Sequence, residues 1–263
     1  MGILSLFLLA CLVIFLPALT GKVNMGFQVP GIPRPLPKKY KLILKNHFPY
    51  YNKLELRKKK HFERKVQYFI HIKEFIPRRI DHVTDEMKVL ISACAVQLTF
   101  GYPKIFLSHF KRILIYPDAY YSTINNTYHK GEVNPRLQAI VLSWKNFVHG
   151  YLDQKDGINL GLHEMAHALR LENMIFNEEV DFFDHEILDE WHDLAALEID
   201  RIKEGNSRMF RKYAATDQDE FFSIAIENFF ERPEDFRELM PKLYEVLSKL
   251  LKQDPYKLTH VVI

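Results

Sequence analysis

Gly161-Leu162-His163-Glu164-Met165-Ala166-His167-Ala168-Leu169 is the stretch on which the reading of this chain turns. On a helix, His163 and His167 stand one turn apart on the same face, where both imidazoles can grip one cation. Glu164 lies beside that face, where a carboxylate can take a proton from a water the cation has acidified. Zinc suits two imidazoles, and a catalytic site of this kind leaves one position open for a water whose pKa falls to about 7. With twelve His in the chain, the spacing alone could arise by chance. The flanks argue against chance. Leu160, Leu162, Met165, Ala166, Ala168 and Leu169 make the helix apolar nearly all round, so it is expected to be buried. Buried His and Glu are costly without partners, and a metal ion removes that difficulty.

The chain has 263 residues, 48% hydrophobic and 26% charged, which fits one globular domain with an appendage. That length buries a core without disulfides. Cys11 and Cys94 cannot form a disulfide framework. No internal repeat, Gly-rich phosphate loop or CxxC pair is present. Ile3 to Leu19 is apolar apart from Ser5, about the minimum needed to cross a bilayer. No Lys or Arg precedes it, and Ala18-Leu19-Thr20 is a poor cleavage site, so a membrane anchor is expected over residues 1–21. A cleaved signal segment with an exported domain is the alternative. Pro30, Pro33, Pro35 and Pro37 then predict an extended spacer, within a basic, Pro-rich linker over 22–50. The catalytic domain is expected over 51–263.

Between Arg34 and Arg79 stand fifteen Lys/Arg against three Glu. Under the positive-inside rule this basic flank keeps the domain in the cytoplasm, behind a single-pass N-terminal helix. The same charge could lie against anionic lipid headgroups. No aromatic-basic module accompanies it, so no nucleic-acid partner is expected.

Leu54 to Ile76 reads as a helix closed by Pro77, and Thr84 as the cap of a second helix ending near Thr99. Ile113 to Tyr116 and Ala139 to Trp144 read as strands. A peptide can be held as an added strand against a sheet edge, and either strand could supply that edge.

Two His leave one protein ligand to find. The candidate carboxylates are Glu172, Glu178, Glu179, Glu186, Glu190, Glu198 and Glu220. Glu186 and Glu190 stand about twenty residues after His167, a spacing that nominates them. The second candidate stretch runs from Tyr213 to Phe230, where Thr216 reads as an N-cap with Asp219 as its capping-box partner. There Glu220 and Glu227 share a helical face with Phe and Ile neighbours, and carboxylates so placed need a partner. The residue pattern leaves the two stretches level.

Several blocks together resemble the Mlc titration factor A family of zinc metallopeptidases. These are Ile113 to Pro117, Val141-Leu142-Ser143-Trp144, Asn159 to Leu169, and Tyr213-Ala214-Ala215-Thr216 followed by Glu220-Phe221-Phe222 and Glu227-Asn228-Phe229-Phe230. They run in order over roughly Leu54 to Pro255. The resemblance implies an α+β, zincin-like catalytic domain similar to the protease domain of anthrax lethal factor. It implies Zn2+ held by His163, His167 and Glu220, with Glu164 as general base. Tyr213 would donate to the oxyanion, and Glu227 would either orient a ligand His or be structural. The expected activity is hydrolysis of a peptide or protein substrate. The alternative is a binding partner that sequesters a transcription regulator, as the family's founding members do. Arg170 stands where the family usually carries Asp, and the N-terminal apolar run is foreign to soluble members.

Overall fold

The structure, a computed structural model, describes residues 35–122, 127–153, 155–175 and 182–259. Three helices come first, α1 (Lys38–His47), α2 (Pro49–Lys53) and α3 (Leu56–Ile72), followed by strand β1 (Glu74–Pro77) and helix α4 (Asp85–Leu98). Strand β2 (Arg112–Tyr116) leads into a hairpin of β3 (Tyr120–Ser122) and β4 (Thr127–His129), then β5 (Gly131–Asn134) and β6 (Ala139–Ser143). The rest is helical: α5 (Trp144–Leu152), α6 (Leu160–Ile175), α7 (His185–Lys203), a 3-10 turn (Lys212–Ala215), α8 (Gln218–Glu231), α9 (Pro233–Leu239), α10 (Pro241–Leu251) and α11 (Pro255–Thr259). Segregated helices over one mixed sheet make this an α+β fold.

The main sheet has the order β1-β2-β6-β5, with β1, β2 and β6 parallel and β5 antiparallel to β6. Every residue of β6 is buried, as expected of a central strand. Both strands foreseen from the sequence therefore lie inside the sheet. Neither is an edge. The edge beside β6 is β5, whose Gly-Glu-Val-Asn carries one apolar residue and no alternation to betray it. Trp144 is the first residue of α5 rather than the end of β6, because Ser143 caps that helix by accepting from the Asn146 N–H.

Helix α4 runs through the middle of the core, with all but Asp85, Glu86 and Lys88 buried. Thr84 caps it by accepting from the Met87 N–H at 3.2 Å, as its position predicted. Each fully buried Leu, Ile or Val on such a helix stabilises the fold by roughly 1.5–3 kcal/mol. The preceding helix is shorter than expected. It ends at Ile72, and Glu74–Pro77 leave it to pair with β2, where Phe75 and Ile76 are half-buried in the sheet. Lys73 makes that turn: its buried ammonium donates to the carbonyls of Leu107 and Phe110, the latter at 2.7 Å.

Residues 36–50, read from the sequence as part of a linker, contribute Leu36, Leu44, Phe48 and Tyr50 to the core. α1 has one apolar face, and α4 offers the surface that buries it. No helix among the described residues is long and apolar enough to cross a membrane, and the Ile3–Leu19 run lies outside them.

Candidate metal centre

Helix α6 carries the two imidazoles and α8 the carboxylate that meets them. Asn159 starts α6: its side-chain oxygen accepts from the Leu162 N–H at 3.0 Å and its carbonyl from the His163 N–H. Gly161 lets the helix approach its neighbours, since a Cβ there would come within 2.6 Å of the Phe147 ring and 3.0 Å of the Cys94 sulfur. The expected burial follows, with Leu162, Met165, Ala166, Ala168 and Leu169 in the core. Helix α8 begins at Asp217, which accepts from the N–H groups of Asp219 and Glu220, both at 2.8 Å. Thr216 does not cap it; its hydroxyl donates back to the Tyr213 carbonyl, closing the 3-10 turn. The cap fixes the first turn of α8, and hence Glu220, against α6.

His163 Nε2 and His167 Nε2 lie 3.1 Å apart, and Glu220 places one oxygen 3.4 Å from each. The three ligand atoms all lie within 4.8 Å of one another. Burial works against ionised Glu220, yet the two imidazoles hold its pKa well below the usual range. Its Oε2 is buried without an aligned hydrogen bond. Two imidazole nitrogens and a carboxylate aimed at one point are the donor set that zinc takes. The residues fit the ion.

Glu227 settles which nitrogen of His163 points at that spot. It follows Glu220 by two helical turns, and the His163 ring reaches between them: Nε2 toward Glu220, Nδ1 to Glu227 Oε1 at 2.8 Å. A proton on Nδ1, donated to Glu227, leaves the Nε2 lone pair free for a metal. Glu227 is 1% exposed. It also accepts from the Asn159 N–H at 2.6 Å and from Arg211 Nη2 at 3.2 Å. Arg211 was not foreseen. It stands beside Lys212 just before Tyr213, and no periodicity marks it.

Glu164 is 6% exposed and lies against β5: a Cβ on Gly131 would come within 2.4 Å of its Oε1. Burial pushes its carboxyl up to about 7, against the pull of His163 and His167. Tyr213, 56% exposed, borders the same cleft, and its phenol is raised by partial burial and by Glu220. The cleft is lined further by His129, Glu132, Val133, Leu171 and Met174. Arg170 closes one side, paired with Asp219 at 2.7 Å and lying over the Phe222 ring.

The other carboxylates go elsewhere. Glu172 is buried and accepts from the backbone N–H groups of Ser108 and His109. Glu198 faces Arg201. Glu186 and Glu190 lie in the first two turns of α7, Glu186 exposed, and neither joins the triad. Glu178 and Glu179 fall outside the described residues.

A fold with this cluster on two crossing helices belongs with the metallopeptidases, and comparison with known families agrees. Residues 32–252 match the family described as glucose-regulated metallo-peptidase M90, and the chain is a member of it. It is 28% identical over 242 residues to an uncharacterized protein of Synechocystis, covering 84% of this chain and 86% of that one. It is 31% identical over 190 residues to Mlc titration factor A of Escherichia coli, covering 65% and 71%, respectively. The Shigella flexneri protein of the same name is 30% identical over the same length.

Proposed function

We propose that this chain is a zincin-like, zinc-dependent peptidase in which His163, His167 and Glu220 hold the ion. The observation that carries this reading is the convergence of those three side chains beside a buried Glu164. Zinc bound there supplies Lewis acidity for activating water and polarising a carbonyl. Glu164 accepts the proton of the attacking water and returns it to the leaving amine, a role suited to a carboxyl with a pKa of about 7. Tyr213 donates its phenolic hydrogen to the oxyanion of the tetrahedral intermediate. Glu227 keeps His163 in the tautomer that ligates.

Strand β5 positions the substrate. Lys130 accepts from the Ser143 N–H, so the register pairs Glu132 and Asn134 inward with β6. The N–H and C=O groups of Gly131 and Val133 then face away from β6, and no strand of the described residues pairs with them. A peptide laid along that side satisfies its own backbone while one of its carbonyls meets the cleft.

The test is zinc content and hydrolysis of a broad peptide library by the full chain and three variants. Glu164→Gln should keep zinc and lose activity, Glu220→Ala should lose both, and Glu186→Ala should lose neither. Zinc retained in Glu220→Ala and lost in Glu186→Ala overturns the ligand assignment.

A second reading, binding of a transcription regulator, rests on the likeness to Mlc titration factor A. Regulator binding that survives in Glu164→Gln and Glu220→Ala alike would separate it from catalysis. We further propose that Ile3–Leu19 anchors the chain in a membrane with the domain on the cytoplasmic side, supported by the basic flank. Protease protection of the domain in sealed vesicles tests the side.

A further inference from the structure

Lys38, Leu42 and Lys45 recur along one face of α1, with Lys41 beside them, at the spacing of successive helical turns. Lys59 from α3, with Tyr51 and Asn52, forms the facing wall of a surface groove that these residues line together. The groove gathers four ammoniums. Only Lys41 has a carboxylate partner among the described residues, Glu63 at 2.5 Å. Lys59 instead lies over the Tyr51 ring, 5.4 Å from its centroid. Like charges on adjacent helical turns repel, so lysines gathered on one face favour an anionic partner.

Leucines stand among these lysines. Leu42, on the groove itself, is 58% exposed, and Leu56, one turn before Lys59 on α3, is 71% exposed. An apolar residue in the middle of a solvated basic face gains nothing from water. At a bilayer surface it reaches the acyl boundary, while the lysines extend their ammoniums to the phosphates. A nucleic acid, by contrast, is gripped by arginine and stacking aromatics, and the groove offers no arginine and one aromatic, the buried Tyr51.

We propose that the α1–α3 groove is a docking surface for anionic phospholipid headgroups. The chain's own course agrees. Eighteen residues, 20–37, separate the apolar run ending at Leu19 from Lys38, and they extend no further than about 60 Å. The proposal deepens the anchor reading without resting on it, because the groove prefers anionic lipid whether or not Ile3–Leu19 inserts.

The test measures partition of the full chain onto phosphatidylcholine vesicles with and without phosphatidylglycerol. Apolar insertion contributes equally to both, so the ratio of the two reads the groove. Each lysine near an anionic surface contributes about a fivefold factor. Lys38→Gln, Lys45→Gln and Lys59→Gln combined should therefore lower the phosphatidylglycerol preference about a hundredfold, leaving binding to phosphatidylcholine and zinc content unchanged. Replacing the same three by Arg should keep the preference, and each single Gln variant should lose about fivefold, so a misfolded triple variant is recognised. A preference that survives the triple Gln substitution overturns the proposal. So does lysine-dependent binding to a short DNA duplex by a protein that ignores phosphatidylglycerol, which would make the groove a nucleic-acid surface.

Discussion

Glu227→Gln tests the centre more sharply than removal of a ligand, because it changes one atom and no volume. The carboxylate accepts on both oxygens: Oε1 from His163 Nδ1 at 2.8 Å, Oε2 from the Asn159 N–H at 2.6 Å, with Arg211 alongside. An amide can accept on only one side. If its oxygen faces Asn159, its NH2 faces His163 and forces the imidazole to accept there. The ring proton then moves to Nε2, the nitrogen that must ligate. If the oxygen faces His163, the NH2 opposes the buried Asn159 N–H and neither donor is satisfied. Loss of a charged hydrogen bond or a buried orphan donor costs about 1–3 kcal/mol in either case. The first outcome weakens zinc binding about 10- to 100-fold, as expected for a group that orients a metal-ligating His. The second lowers thermal stability instead and leaves affinity close to wild type. Competition with a chromophoric chelator gives the affinity, and a melt of the metal-stripped protein gives the stability. If zinc affinity and melting temperature are both unchanged, Glu227 does not hold His163 and the account of the tautomer fails.

The remaining predictions follow from the same geometry. Gly131→Ala places a methyl within 2.4 Å of Glu164 Oε1 and must displace that carboxylate. A shift of about 1 Å costs about a hundredfold in turnover, with zinc stoichiometry intact, when peptide hydrolysis and metal content are measured together. Tyr213→Phe removes only a hydrogen-bond donor at an exposed position. It should lower kcat by about 10²- to 10³-fold with KM little changed, and a larger effect on KM would place the phenol in binding instead. Leu44→Ala empties a fully buried site on α1 and should cost about 2–5 kcal/mol in a denaturant titration. A loss under 0.5 kcal/mol would mean that α1 does not belong to the folded unit.

Local chemistry made much of this legible from the residues. His163 and His167 lie one turn apart for any helix, and the apolar flank required that helix to be buried. The Thr84 cap and the apolar stripe of α4 needed no partner to be recognised. Glu220 was harder. On residue pattern it stood level with Glu186 and Glu190, since each pair lies on a plausible helix, and only the packing of α8 against α6 brings Glu220 to the imidazoles. The Thr216 cap was misplaced by one residue because Thr, Asp217 and Asp219 are all cap formers, and which one accepts depends on the approach of the 3-10 turn.

Strand β5 marks the limit. Its order in the sheet depends on β6 lying between it and β2, a relation between segments that no local pattern encodes. An edge strand needs only one side satisfied, so it can be short, polar and without alternation. The core role of 36–50 was hidden for a related reason: four lysines and two prolines interrupt its apolar residues, while Leu36, Leu44 and Phe48 find burial only against α4 and its neighbours. The sequence by itself determined where the helix of His163 and His167 runs and which side chains can carry a proton or an ion. The residue pattern left Glu220 level with Glu186 and Glu190 until the family resemblance singled it out; the tertiary structure decided which nitrogen of His163 faces Glu220 and which strand offers its free edge. Side-chain chemistry and helical period are properties of neighbours along the chain, whereas a ligand set is a meeting of residues about fifty apart, fixed only when two helices pack.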